Sequence, residues 1–299
     1  MPKNSFEKPI KREEPDIEEM KEKLDKAERM IGEVREDLKE EIEEWKPIKK
    51  LKKLWEEKRI EIEKRVSPSE TFIFLFSFPF PEVSPSFLEK ISNKFLKEFD
   101  WEKFKKSQTF KFDLGLFLSA FLKKNIENYI LSQKKKGVRE ENIKPIEVHL
   151  DVKELPIRLS CLGFKNPEKL HLVIEGDCEE GVGWHMQGGR IIVKGNCGDL
   201  VGLGMLNGKI IVEKNCGDYT GLRMKGGELT VEGDCGQSIG KEMQEGILNL
   251  KGEVGFFESA FSPSNKGTII WKGIKIWENG DWTKEGKEMW ERGEIPVKG

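Results

Sequence analysis

Residues 191–209 read IIVKGNCGDLVGLGMLNGK, and residues 210–228 read IIVEKNCGDYTGLRMKGGE. The two stretches agree at 11 of their 19 positions, and the agreement continues outward on both sides. Cysteines recur every 19 residues at Cys178, Cys197, Cys216 and Cys235. Glycines follow at Gly183, Gly202, Gly221 and Gly240, methionines at Met186, Met205, Met224 and Met243, and further glycines at Gly189, Gly208, Gly227 and Gly246. A fixed period of this length marks a solenoid and sets the architecture before any single residue is interpreted.

Each unit opens with a short β-rich run such as Leu172-Val-Ile-Glu175 or Ile210-Ile-Val-Glu213. Its first and third positions are aliphatic and its fourth is charged, which places the aliphatic pair on one face of a strand. Gly with Asp or Asn then signals a turn (Gly176-Asp177, Gly195-Asn196, Gly233-Asp234). A 19-residue unit built this way leaves no room for a helix. The expected fold is mainly β: a right-handed parallel β-helix, one coil per repeat, each coil about 4.8 Å above the last. Residues 19 apart become ladder neighbours, so the Cys, Met and aliphatic columns form the interior. Outside, the charged column Glu175, Lys194, Glu213, Glu232, Lys251 alternates in sign at three of its four steps.

The pattern G-[DN]-x-G-x3-G-x2-M-x2-G, as in Gly195-Asn-Cys-Gly198 through Gly202, Met205 and Gly208, resembles the GXGXG β-helix. That module forms the C-terminal domain of the large subunit of glutamate synthase and the body of one of the subunits of formylmethanofuran dehydrogenase. The resemblance covers about residues 165–275. It implies a structural, subunit-contacting element, with catalysis on other domains or subunits.

The cysteine column invites a metal or redox reading, and the repeat supplies its own control: the fifth coil carries Val254 in the same column. Tetrahedral ligation needs thiolates roughly 3.8 Å apart. A column rising about 4.8 Å per coil lets at most neighbouring pairs share one ion. Disulfides are disfavoured in a cytoplasmic setting, which the absence of a signal peptide suggests. The column therefore reads as packing, and Cys161 as a buried residue outside the register. Nucleotide-binding glycine motifs are absent, so Gly181-Val-Gly183 reads as a coil corner. His149, His171 and His185 join no nucleophile, and the variability of the His185 column marks a surface position. Asp199 and Asp218, flanked by Glu180 and Gln237, read as a solvated acidic strip. No catalytic residue, metal or cofactor is assigned.

The remaining segments divide at residues 66, 145 and 275. Residues 1–66 carry a heptad-like seam through Ile17, Met20, Leu24, Ala27, Ile31, Val34, Leu38, Ile42 and Trp45, the pattern of a coiled-coil arm. Pro47 should interrupt it before a second amphipathic helix. Residues 67–145 suggest a small α/β domain, with strands at Phe72–Phe76 and Thr109–Phe112 and helices at Phe87–Phe99 and Leu116–Gln133. Residues 146–275 hold the solenoid and 276–299 a cap. There Trp271, Trp277, Trp282 and Trp290 read as a hydrophobic lid, with Trp282 and Trp290 as candidate partner contacts. With 52 basic and 54 acidic residues the chain has a net charge of −2, so nothing favours nucleic acid. No apolar run reaches the length of a membrane span. Protein partners, or self-association through the coiled coil, are the expectation.

Overall fold

The structure, a computed structural model, describes residues 36–65, 67–103 and 109–297, with side chains from Lys46 onward. Most of the predicted coiled-coil seam, Ile17, Leu24 and Ile31 included, lies outside the described residues, as do the side chains of Leu38 and Trp45. The first described element is helix α1 (Glu36–Glu63), followed by α2 (Pro68–Phe76), α3 (Pro85–Lys97) and α4 (Phe110–Lys135). Nine strands come next: β1 (Ile146–Asp151), β2 (Leu170–Glu175), β3 (Arg190–Val193), β4 (Lys209–Val212), β5 (Lys225–Val231), β6 (Glu245–Leu250), β7 (Thr268–Trp271), β8 (Ile274–Glu278) and β9 (Asp281–Trp282). Helix α5 (Lys284–Glu291) follows.

The strands form one sheet in chain order, parallel from β1 to β7 and antiparallel from β7 to β9. The 19-residue register is the one the aliphatic columns require. Leu172, Ile191, Ile210, Leu229 and Leu248 stack in one interior row, and Ile174, Val193, Val212, Val231 and Leu250 in the other. Both rows are almost fully buried. On the outer face, Lys194 pairs with Glu175 at 2.6 Å and Lys251 with Glu232 at 2.7 Å.

The glycine columns mark where the walls of the coil come together. Gly202 has φ +70°, and a Cβ there would lie 2.5 Å from Cδ1 of Leu229, in the second strand to follow. Gly227 has φ +77°, and its Cβ would lie 2.5 Å from Met205 Cε and 2.8 Å from the Gly208 carbonyl. The same relation joins Met186 to Gly208 and Met224 to Gly246. Each methionine thus covers the glycine one coil further on, and two sequence columns act as a single packing device.

The helices are not a separate α/β domain. The Phe72–Phe76 run is helical because Ser67 caps α2, accepting from the Glu70 N–H at 3.2 Å, and Pro68 presets the first turn. Phe72 and Leu75 turn inward, while Ile73 is 64 % exposed, which is helical spacing. Thr109–Phe112 is the start of α4 rather than a strand, and the apolar side chains along it are buried on nearly every side. Pro47 does not end the first helix: α1 runs through it, held by buried Ile48, Leu51, Leu54 and Trp55. The apolar core is continuous from Ile48 to Ile295, so the helices belong to the solenoid's own body.

Their position has a reason. Strand β1 would otherwise expose an unpaired edge, and α3 supplies side chains in place of a neighbouring strand. Glu89 accepts from the His149 N–H (3.0 Å), and Asn93 accepts from the Asp151 N–H (2.9 Å) while donating to the His149 carbonyl (2.7 Å). Helix α4 closes the corner: Ser119 donates to the Cys161 carbonyl at 3.0 Å and accepts from the Gly163 N–H at 3.1 Å. At the other end the chain reverses into the β7–β8–β9 hairpins. The tail then returns, and the Phe257 N–H donates to the Pro296 carbonyl at 2.7 Å.

Replacing Gly227 by Ala places a methyl into Met205 and a left-handed backbone on an L-residue, and should destabilise the fold by about 3 kcal/mol. Gly137 shares a positive φ of 81°, but the methyl that alanine would add there meets nothing within 4 Å. Its Ala variant should lose only about 1 kcal/mol. Urea unfolding of both variants checks the difference; equal losses would refute the Met–Gly device.

Candidate functional site

The cysteine column lies just past the strands. Each backbone N–H donates to the residue preceding the next cysteine, at 2.8 to 2.9 Å: Cys178 to Asn196, Cys197 to Asn215, Cys216 to Asp234, and Cys235 to Glu253 in the cysteine-free fifth coil. Cys216 and Cys235 form an in-register parallel bridge, and Cys235 bridges Val254 in turn. All five cysteines of the chain are buried free thiols. Packing is therefore part of the role, as the sequence suggests. The aliphatic columns reach 0 to 1 % exposure, whereas Cys197, Cys216 and Cys235 keep 6 to 8 %. The column sits against the wall of the solenoid rather than at its axis.

The thiols of this column influence one another's ionisation. Cys197 lies in hydrogen-bond contact with Cys178 and Cys216, and Cys216 with Cys197, Cys235 and the Thr220 hydroxyl. Hydrogen bonding between the thiols, joined by burial, pushes Cys197 and Cys235 well above the ordinary thiol range. Cys216, receiving hydrogen bonds from Cys197, Cys235 and Thr220, is pulled down to about 5. These shifts belong to the coupled row of thiols rather than to any one of them. Among the described residues no three His, Cys, Asp or Glu groups converge as a metal cluster.

Cys161 lies outside the cysteine column, aligning with Gly181 rather than Cys178, but inside the solenoid. It occupies a further coil at the N-terminal end, where Cys161, Gly163 and Lys165 have φ of 57°, 73° and 51°. Gly181, Gly183 and His185, twenty residues later, have 76°, 69° and 52°. The extra residue in the spacing hid this coil from a 19-residue search. Burial pushes the Cys161 thiol up. His185 is half-buried between Phe164 and Trp184, with Nδ1 3.3 Å from the Gly204 oxygen, and burial lowers its pKa. Its column, which continues through Gly204, Arg223 and Glu242, is a left-handed corner in every coil.

Two polar ladders escaped the sequence reading. Asp177 Oδ1 accepts from the Asn196 N–H at 2.8 Å, Asn196 from Asn215 at 3.3 Å, Asn215 from Asp234 at 2.8 Å and Asp234 from Glu253 at 2.7 Å. Asp199 and Asp218 do the same for Asp218 and Gln237, at 2.8 and 2.7 Å. The expected acidic strip is therefore a row of side-chain acceptors that stitches each turn to the next. The Gly-Asp and Gly-Asn pairs were legible as turns, while the acceptor role needed the coil height as well.

Outside the solenoid, Asp113 on α4 lines a cleft of about 200 Å³ with Glu63, Arg65, Thr71 and Thr109. Burial raises its pKa from 3.8 to about 6, against a hydrogen bond from Thr109 and with some help from Glu63. At the C-terminal end, Trp271 and Trp277 are buried as the expected lid. Trp282 is half-buried between Phe261 (ring centroids 4.3 Å apart) and Trp290 (5.5 Å), and Trp290 is 44 % exposed.

Asn215→Ala removes one acceptor from the ladder and should lower stability by about 1 kcal/mol, whereas Asn215→Asp, which keeps the acceptor, should be nearly neutral. A chemical denaturation series measures both. For Asp113 the fold holds the proton between pH 3.8 and about 6, where the unfolded chain has released it. Stability from this group is then full below pH 3.8 and lost as pH rises through 6, by up to about 3 kcal/mol. Asp113→Asn should flatten that part of the stability–pH curve, and an unchanged slope would contradict the assignment. No protein-family model, no curated protein and no solved structure matches this chain.

Proposed function

We propose that the chain is an assembly subunit: a β-solenoid scaffold that presents a C-terminal aromatic surface, and an N-terminal coiled-coil arm, to protein partners. The observation that carries this reading is the aromatic relay at the C-terminal cap. Phe257 and Phe261 are 5.1 Å apart, Phe261 supports Trp282, and Trp282 supports the exposed Trp290. A large aromatic held rigid from beneath and left open above is the kind of residue that anchors protein interfaces. The lid itself is already completed by Trp271 and Trp277, so Trp290 is not needed to cover the last coil.

A second reading builds on the GXGXG-like columns. The chain would then belong to an oxidoreductase complex similar to glutamate synthase or formylmethanofuran dehydrogenase, with the chemistry on neighbouring subunits. No helix among the described residues is long and apolar enough to cross a membrane.

Cross-linking and native mass spectrometry of the full chain, in lysate of its source and after purification, test the proposal. The expected result is a complex of defined stoichiometry, either with itself or with another protein, weakened at least tenfold by Trp290→Ala (about 1.4 kcal/mol). A chain that stays monomeric and recovers no stoichiometric partner would sink it. The identity of a recovered partner separates the two readings, since redox or amidotransferase subunits would select the second.

A further inference from the structure

We propose that a basic cleft on the side of the solenoid binds a phosphate group carried by an organic molecule with an apolar part. The cleft has a volume of about 460 Å³ and is lined by the loop that follows β1 and by the corners that follow β2, β3 and β4. Three observations lead to this reading.

The first is a break in the repeat. In the five coils that begin with β2 to β6, the residue after the charged column is Gly176, Gly195, Lys214, Gly233 and Gly252. Packing explains the glycines, because a Cβ on Gly195 would collide with the Gly176 carbonyl and one on Gly252 with the Gly233 carbonyl. Lys214 alone carries a side chain in this column; it is exposed and lines the cleft. Departures from a local packing rule gather at functional sites. Among the described residues no carboxylate pairs with Lys214.

The second is charge. Lys153, Arg158 and Lys194 line the same cleft, against one carboxylate, Asp177. Asp177 is already engaged: it pairs with Arg158 at 2.9 Å and accepts from the Asn196 N–H at 2.8 Å and the Asn196 side-chain amide at 3.1 Å. The lining thus holds three positive charges in excess. Glu175, which pairs with Lys194 at 2.6 Å and Lys153 at 3.1 Å, reduces the excess to two. A phosphate monoester near pH 7 carries about that charge with the opposite sign, and arginine and lysine donors suit its oxygens.

The third is the apolar part of the lining. Leu155 and Ile157 border the cleft and are only half-buried. A bare inorganic ion would leave them in water, whereas the organic part of an ester would cover them. Concave sites that combine apolar lining with a few convergent polar groups are where small molecules bind.

Calorimetric titration of the full chain with phenyl phosphate, and separately with inorganic phosphate, tests the proposal. Phenyl phosphate should bind saturably at one per chain, at least fivefold more tightly than inorganic phosphate, and more weakly as salt rises. Lys214→Gly restores the residue that the column otherwise uses, so it should stay folded by circular dichroism while binding at least fivefold more weakly. Arg158→Gln should weaken binding to a similar degree, and Lys287→Gln, on α5, should bind as the wild type does. Co-sedimentation with vesicles containing phosphatidic acid, lost in Lys214→Gly, would assign the phosphate to a lipid headgroup; binding of phenyl phosphate without co-sedimentation would assign it to a soluble ester. No saturable binding of phenyl phosphate, equal affinity for the two phosphates, wild-type affinity in Lys214→Gly, or displacement by an equal concentration of acetate would overturn the proposal.

Discussion

The distance between opposite walls of a 19-residue coil governs the rest of the molecule. With so few residues per turn the strand side chains reach the facing wall, and that wall must be bare where they meet it. That is why Leu229 Cδ1 stands where a Cβ on Gly202 would be, and Met205 Cε where one on Gly227 would be. The left-handed backbone at these glycines then follows from the need to turn within two or three residues. Dense packing makes such a wall intolerant of added methyl groups, because interiors at crystal-like density have no slack to absorb them. Glycine, methionine and aliphatic columns are one solution to one geometric problem.

A stack of coils solves its interior but leaves both ends open. The two ends of this sheet are closed by different means. At β1 a helix lends side chains, with Glu89 and Asn93 taking the hydrogen bonds that another strand would have taken. Beyond β7 the chain itself turns back, and antiparallel β8 ends the parallel stacking while Trp271 and Trp277 fill the last interior layer. Either device prevents a further coil, or a second molecule's edge, from adding to the sheet. Closure at both ends turns the solenoid into a block of fixed length, with contacts made through its sides and cap.

How much of this was legible depends on what repeats. The coil height, the interior rows and the packing columns could be read directly, because 19-residue stacking repeats them coil after coil. The helices could not be read as well. Phe72–Phe76 looks like a strand by composition, and only the Ser67–Pro68–Glu70 start signal argues otherwise. Thr109–Phe112 alternates like a strand, and the turns of α4 that follow, Asp113–Leu122, are buried on every side, which erases helical periodicity. The coil of Cys161 was missed for the opposite reason: β1 pairs with β2 24 residues later rather than 19, and a strict period excludes it. The candidate site was half legible. The cysteines were visible as a column, but the contrast between Cys216 and its neighbours arises from Thr220 and the stacking order, neither of which a period reveals.

The Asn–Asp ladders and the cysteine column show one principle at work on two sides of the same wall. A solenoid turns any residue kept at a fixed place in the repeat into a row of identical groups about 4.8 Å apart. On the outer side, a row of acceptors meets a row of backbone N–H groups of the same spacing, so Asp177, Asn196, Asn215 and Asp234 lock the coils together without facing one another as competing charges. On the inner side, the cysteine sulfurs meet chiefly each other. Like groups in a buried row cannot all ionise, so the opposite shifts of Cys216 and of Cys197 and Cys235 belong to the row as a whole. Packing alone gives no reason to prefer that arrangement over the valine that the fifth coil already uses at Val254.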